Sequence, residues 1–290
     1  MIDLQAETLR PLTSKMSWQC HWHDSLDQLT PREDMFTLLV AHEFFDALPF
    51  HLLQKCQDGW REVYIASGPD PAAPTILRPT IRSDAAGGVI ESAAKFHYVL
   101  SPSPGTMSSL LGLSSPRFKD LPVGSRVEVS PTAFKNAQMI GKLLQSNAES
   151  PADVPGSALI VDYGGDKVYG NSFRAFKDHK VVDVFHRPGD CDLTTNVDFA
   201  YLKEAVGDLA AAHGPISQAS FLERMHIQAR VEGLTKAAQD EGRKKQIEDA
   251  AKRLVDRSGM GSQYQFLAVT GTKHLQPPPG PMQLWPFGAD

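Results

Sequence analysis

Cysteine is scarce. The three in 290 residues, Cys20, Cys56 and Cys191, are odd in number and far apart, which excludes a disulfide framework or a zinc knuckle and makes a reducing compartment the natural setting. A cationic surplus is missing as well. Lys and Arg number 29 against 34 Asp and Glu, a formal net charge of −5, so the basic surface needed for non-specific nucleic-acid binding is not expected. No apolar run approaches the ~20 residues of a membrane-spanning helix. The opening MIDLQAETLR carries Asp3 and Glu7; it reads as neither a secretory leader nor an Arg-rich mitochondrial presequence. Also absent are a G-x-S-x-G nucleophile elbow and an internal repeat. Gly259-Met260-Gly261 follows a charged helix and lacks a third glycine, so it fails the context of a dinucleotide loop.

What remains is an ordinary globular composition, 41% hydrophobic and 22% charged, able to bury a core. Residues 2–12 read as a helix stopped by Pro11, and 17–24 as a weakly alternating strand. The run 35–41 is short and apolar, in the manner of a strand buried in a parallel sheet. HLLQKCQDGWREVYIA (51–66) predicts a hairpin turning at Gln57-Asp58-Gly59. From 67 to 127 Pro, Gly, Ala and Ser dominate, with one strand at 95–100, as in an inserted loop and edge segment. Ser130-Pro131 opens a helix to about 147, cap followed by proline. SALIVDYGG (157–165) is a second apolar run ending in an acid. Helices are expected at 198–212, 218–238 and 241–257, a strand at 263–271, and no regular structure in QPPPGP. Alternation of strands and helices predicts a doubly wound, parallel α/β sheet, with ligands bound beyond the carboxyl ends of its strands.

Two runs place carboxylates at that rim: LLVAHEFFD, with Glu43 and Asp46, and LIVDYGG, with Asp162. Such acids can bind a cationic group or accept its proton. Equally, Asp46 could cap the turn before Ala47-Leu48-Pro49, and Glu43 could be a rim ion pair. Gly164-Gly165 could admit a ligand to the backbone or simply turn the chain. His21-Trp22-His23-Asp24 has ligand-type residues but nothing elsewhere to complete a metal site, so no metal is expected.

AHEFFDALPFH followed by QKCQDGWREVYI resembles the signature of the MidA-type S-adenosylmethionine-dependent methyltransferases, the mitochondrial protein arginine methyltransferases needed to assemble respiratory complex I. VLSPSPG, GSRVEVSPTAF, ALIVDYGG, SFRAFKDHK, PGDCDLTTNVDFAYL, GPISQASFLERMHIQAR and GMGSQYQFLAV extend the likeness in order through most of the chain. The resemblance implies a class I methyltransferase (Rossmann-like) sheet with an inserted segment at 67–127 and a helical segment at 198–258, in one domain over 1–290. It implies Glu43 and Asp46 as catalytic residues, and His42, Phe44 and Asp162 beside the methyl donor, S-adenosyl-L-methionine. Phe45, Leu48 and Pro49 belong to the same rim. The implied partner is a protein substrate with an arginine, a complex I subunit, in the mitochondrial matrix.

The resemblance also locates the family's glycine-rich donor loop, E-x-G-x-G, and a ribose-binding acid ahead of the 35–41 strand, where residues 1–34 contain neither. The chain is therefore expected to be N-terminally incomplete, to bind the donor weakly, and to leave an apolar edge on the 36–40 strand. The alternative to a methyltransferase is a non-catalytic family member acting only as an interaction or assembly protein.

Overall fold

The computed structural model describes residues 2–30, 35–68, 96–145, 156–271 and 284–288. The Pro- and Gly-rich stretch 69–95, the loop 146–155 and the QPPPGP tail lie outside the described residues. In chain order the elements are α1 (Ile2–Met16), β1 (Leu38–His42), β2 (His51–Cys56), β3 (Gly59–Ser67), β4 (Phe96–Leu100), α2 (Thr106–Gly112), β5 (Arg126–Val129) and α3 (Pro131–Leu144). They continue with β6 (Ser157–Gly165), β7 (Arg174–Lys177), β8 (Lys180–Val182), β9 (Asp192–Thr194), β10 (Val197–Asp198) and α4 (Phe199–Val206). The chain then forms β11 (Ala210–Ser217), α5 (Gln218–Arg224), α6 (Ile227–Ala237), α7 (Glu241–Val255), α8 (Met260–Gln263) and β12 (Tyr264–Gly271). No described helix is long and apolar enough to cross a membrane.

The principal sheet runs β1-β6-β12-β11, with β10 added beside the end of β6. It is mixed, which corrects the expectation of an all-parallel sheet. β1 and β10 run parallel to β6, but β12 is antiparallel to both β6 and β11. The remaining strands form a four-stranded antiparallel sheet, β4-β3-β2-β5, and a small sheet, β8-β7-β9. The hairpin at 51–66 is present, turning at Gln57-Asp58. So is the capped helix: the Ser130 hydroxyl accepts the Ala133 N–H at 3.0 Å, with Pro131 in the first turn.

Four local expectations are overturned. Residues 17–24 form no strand and join no sheet; the Trp22 indole instead donates to the Gln5 side chain of α1 at 2.9 Å. Pro11 does not stop α1, which runs on to Met16. The predicted helix 198–212 ends at Val206, before Gly207 at φ +50°, and Ala210–Ser217 is a strand. Pairing with β12 there overrides the weak strand preference of Ala-Ala-Ala. A further break at Met225-His226, with His226 left-handed at φ +58°, divides the helix expected at 218–238.

One face of the principal sheet packs Ile160, Leu267 and Val269 against Ala137 and Ile140 of α3 and Leu202 of α4. The other packs Val161, Tyr264 and Phe266 with Phe221 of α5. β1 follows the same alternation: Leu39 and Ala41 face the α3–α4 core, whereas Leu38 and Val40 are 69% and 63% exposed. Among the described residues β1 pairs with β6 alone, and α1 buries none of its side chains. An apolar strand with an unpaired edge is a template for association. Val40→Lys should therefore reduce self-association in sedimentation velocity and lower apolar-dye binding. Because Val40 is already exposed, its melting point should move by less than about 0.5 kcal/mol equivalent. Unchanged association would show that the edge is not sticky.

Candidate active site

β1 and β6 lie in register, with His42 opposite Val161, so their carboxyl ends meet at one rim. The chain turns sharply there. Glu43 donates its N–H to the Val161 carbonyl at 3.0 Å and adopts φ +48°. This left-handed conformation is uncommon for a side chain other than Gly, Asn or Asp, and it is tolerated where the surroundings impose it.

What imposes it is Asp162. Its side chain is fully buried, and Oδ2 accepts the N–H groups of Phe44, Phe45 and Asp46 at 3.2, 3.0 and 3.3 Å. Oδ1 accepts the Tyr163 N–H at 2.9 Å. Burial, and then the nearby Asp46 charge, push the Asp162 carboxyl up to about 7, against the amides that favour its ionised form. Asp162 thus serves as the internal template of the 43–46 turn.

Because side chains alternate along a strand, Tyr163 projects to the opposite face from Asp162. There it meets Tyr264, its antiparallel partner in β12, with ring centroids 4.2 Å apart. The Tyr264 hydroxyl donates to Glu43 Oε1. The Tyr163 hydroxyl lies 2.5 Å from that of Tyr264 and 3.4 Å from the same carboxylate oxygen. Burial, together with the Glu43 contact, raises the Tyr264 phenol well above its usual range, so it remains a donor. The His42 ring stacks on Tyr264 with centroids 6.3 Å apart. The Arg174 guanidinium sits 5.6 Å from the Tyr163 ring. Glu43 is therefore an oriented carboxylate, held through Oε1 among the described residues.

The predicted residues consequently divide. His42, Glu43 and Phe44 are exposed at the rim, Phe44 at 40%, and Phe45 is buried beneath with its ring edge-on to Phe44 at 5.2 Å. Asp46 faces elsewhere: its Oδ2 accepts the Thr194 hydroxyl at 2.7 Å and its carbonyl accepts the Thr195 N–H at 3.1 Å, tying the turn to the β9–β10 connection. Its Oδ1 is buried and without a partner among the described residues. Asp162 and Glu43 share one end of the sheet, but Asp162 does not open onto a cleft beside Glu43. Sequence reasoning missed Tyr163, Tyr264, Arg174 and Thr194. Tyr163 adjoined a motif already singled out, but only the β6–β12 register pairs it with Tyr264.

Gly164 resolves the question of the glycines after β6. It has φ +148°, and an added Cβ would lie 2.1 Å from the Val197 carbonyl oxygen. The backbone it admits is that of β10, its paired strand. Gly164→Ala combines a forbidden conformation with a backbone clash, so it should destabilise by roughly 2–4 kcal/mol, read from a denaturant midpoint. A loss below 0.5 kcal/mol would mean β10 yields freely.

Comparison with known proteins identifies the family. Residues 1–216 match the family model described as "Putative S-adenosyl-L-methionine-dependent methyltransferase". A Danio rerio protein named "Protein arginine methyltransferase NDUFAF7, mitochondrial" is 34% identical over 255 residues, covering 88% of this chain and 51% of the relative. The Homo sapiens protein of that name is 31% identical over 261 residues, covering 90% and 50%. The chain thus spans about half the length of these curated relatives. The fold resembles a crystal structure of a COG1565 superfamily member from Burkholderia thailandensis bound to S-adenosyl-homocysteine, with TM-score 0.62, 21% identity, and coverage of 91% of this chain and 60% of that one. By the family model that covers most of its length, the chain belongs to the S-adenosyl-L-methionine-dependent methyltransferases of the MidA/NDUFAF7 family.

Proposed function

We propose that the protein is a protein arginine N-methyltransferase that acts in the mitochondrial matrix on a subunit of respiratory complex I (NADH:ubiquinone oxidoreductase). The observation that carries this reading is the Glu43 carboxylate, exposed at the rim and oriented through one oxygen by the Tyr163–Tyr264 pair. The names of its relatives support the same substrate class and compartment. We read β1-β6-β12-β11 as part of a class I methyltransferase sheet, with the rim of β1 as its catalytic end.

A guanidinium is a planar fork of donors, and a fixed carboxylate holds it with directional, charge-assisted bonds. Glu43 would orient one guanidinium nitrogen, draw positive charge toward the others and so leave electron density on the reacting one. S-adenosyl-L-methionine, when bound, supplies an electrophilic methyl group. The residues present fit such a donor in part. His42 and Phe44 offer exposed aromatic surface beside Glu43, whereas the amides of Phe44, Phe45 and Asp46 are committed to Asp162. Donor contacts at this turn would accordingly come from side chains. Positioning is the main demand of the reaction, and Asp46 and Asp162 would serve it by shaping the turn rather than by touching substrate.

The test is transfer of labelled methyl from S-adenosyl-L-methionine to an arginine-containing peptide, with methylarginine expected on hydrolysis and no label in a lysine-substituted peptide. A second reading, a non-catalytic assembly protein, is favoured by the commitment of the Phe44, Phe45 and Asp46 amides to Asp162, which leaves none of them free for a methyl donor. Peptide binding without transfer, and no donor affinity in calorimetry, would select it.

A further inference from the structure

Beyond Glu43, at the end of β6, a cleft of about 770 Å³ opens beside Arg126, Lys167, Tyr169, Arg174 and Asn196. Its three charged lining residues are all cations, in a chain whose formal net charge is −5. Their contacts are neutral. Arg126 donates to the Gln54 side-chain oxygen at 3.0 Å. Lys167 lies 5.3 Å from the Tyr169 ring. Arg174 donates to Asn196 Oδ1 at 2.7 Å and to the Ser172 carbonyl at 3.2 Å. Among the described residues none of the three forms an ion pair.

The acids nearest in sequence or contact to these cations are engaged elsewhere. Asp166 pairs with Lys203 at 2.8 Å. Glu128 accepts the N–H groups of Ser172 and Phe173 at 2.8 and 3.1 Å and also the Ser172 hydroxyl. Asp198 pairs with Arg117 at 2.9 Å and caps α4 through the Tyr201 N–H. Glu128 bonds neutral groups and keeps its charge, so three cations against this one carboxylate leave the concavity with a net positive potential. Arg174 connects it to the rim, because its guanidinium also stacks over Tyr163, which belongs to the Glu43 cluster.

We propose that this cleft binds carboxylate side chains of the substrate polypeptide that lie close in sequence to its target arginine. The inference rests on the arginine methyltransferase reading for the identity of the neighbouring site. An anion-binding cleft joined through Arg174 and Tyr163 to the Glu43 carboxylate would select a segment that carries both charges. Arginine guanidinium groups suit carboxylates through paired, planar hydrogen bonds, and charge complementarity of this kind sets partner choice.

The experiment measures fluorescence anisotropy of three labelled peptides of equal length on the whole chain. One has an arginine flanked by Asp and Glu, the second has Asn and Gln in their place, and the third keeps the acids but replaces arginine by norleucine. The first should bind about tenfold or more tightly than the second, and the preference should shrink as salt is raised. The third should still bind, and lose affinity as salt is raised, an outcome independent of whether Glu43 holds an arginine. Arg126→Gln combined with Lys167→Gln should abolish the acidic preference; both side chains are exposed, and circular dichroism confirms that the variant folds. Equal affinity of the first two peptides, or a preference that survives the double substitution, would overturn the proposal. Loss of affinity confined to the norleucine peptide would overturn it too, by assigning recognition to the arginine alone.

Discussion

Glu43→Gln is expected to lower methyl transfer to an arginine peptide by about tenfold to a hundredfold, with donor affinity unchanged. The substitution keeps the size and the oxygen that accepts the Tyr264 hydroxyl, but it replaces the anion by an amide that presents N–H groups to a guanidinium. A charge-assisted hydrogen bond of this kind contributes roughly 1.5–3 kcal/mol, and each ~1.4 kcal/mol realised only in the transition state is tenfold in rate. Asp46→Asn is the control. Its oxygen can still accept the Thr194 hydroxyl, so activity should fall only slightly. Single-turnover rates and calorimetric donor titrations on both variants decide the matter. If Glu43→Gln matches the unsubstituted protein in rate, Glu43 has no place in the reaction.

The second large effect concerns Asp162. Asp162→Ala leaves the N–H groups of Phe44, Phe45 and Asp46 without their acceptor, and each unsatisfied buried group costs about 1–3 kcal/mol. A loss of roughly 3 kcal/mol or more in folding stability should follow, together with loss of the turn that carries Glu43. Asp162→Asn keeps one acceptor oxygen and should be milder, and it isolates the charge. The folded carboxyl titrates near 7, above the ~3.9 of an unfolded Asp. Between these values the folded state holds a proton that the unfolded state has released. Stability from this group is therefore complete at low pH and declines as pH rises through about 7. The stability difference between the unsubstituted protein and Asp162→Asn should shift by on the order of 3–4 kcal/mol from pH 4 to pH 8 in favour of the Asn variant. Parallel pH profiles would mean that the three amides hold Asp162 ionised throughout.

The elements legible from the sequence were those whose signals are local. Ser130-Pro131 caps and starts α3, Gln57-Asp58 turns the β2–β3 hairpin, and the apolar runs at 36–40 and 157–161 enter β1 and β6. Elements that failed did so where a distant partner decides. Ala210-Ala211-Ala212 has helical composition but lies in a strand bordering β12, while residues 17–24 alternate yet join no sheet. The direction of β12 is likewise invisible in QYQFLAV, because a buried strand reads the same in a parallel or an antiparallel setting.

The candidate site divides in the same way. By itself the sequence determined that carboxylates end two apolar strands, that Gly164-Gly165 follows one of them, and, through several ordered blocks of likeness, which family is at hand. These are properties of residue identity and order. Only the tertiary structure decided which carboxylate does what. Asp162 and Tyr163 are neighbours in sequence, yet strand alternation sends one into the core beneath the turn and the other beside Glu43. Tyr264 reaches Glu43 across 221 positions of chain, and Thr194 reaches Asp46 across 148. The three cations of the cleft are unremarkable until the packing shows that the acids around them already have partners. Hydrogen bonds and charge compensation depend on distances of a few ångström, and only the register of the sheet and the packing of its connections set those distances.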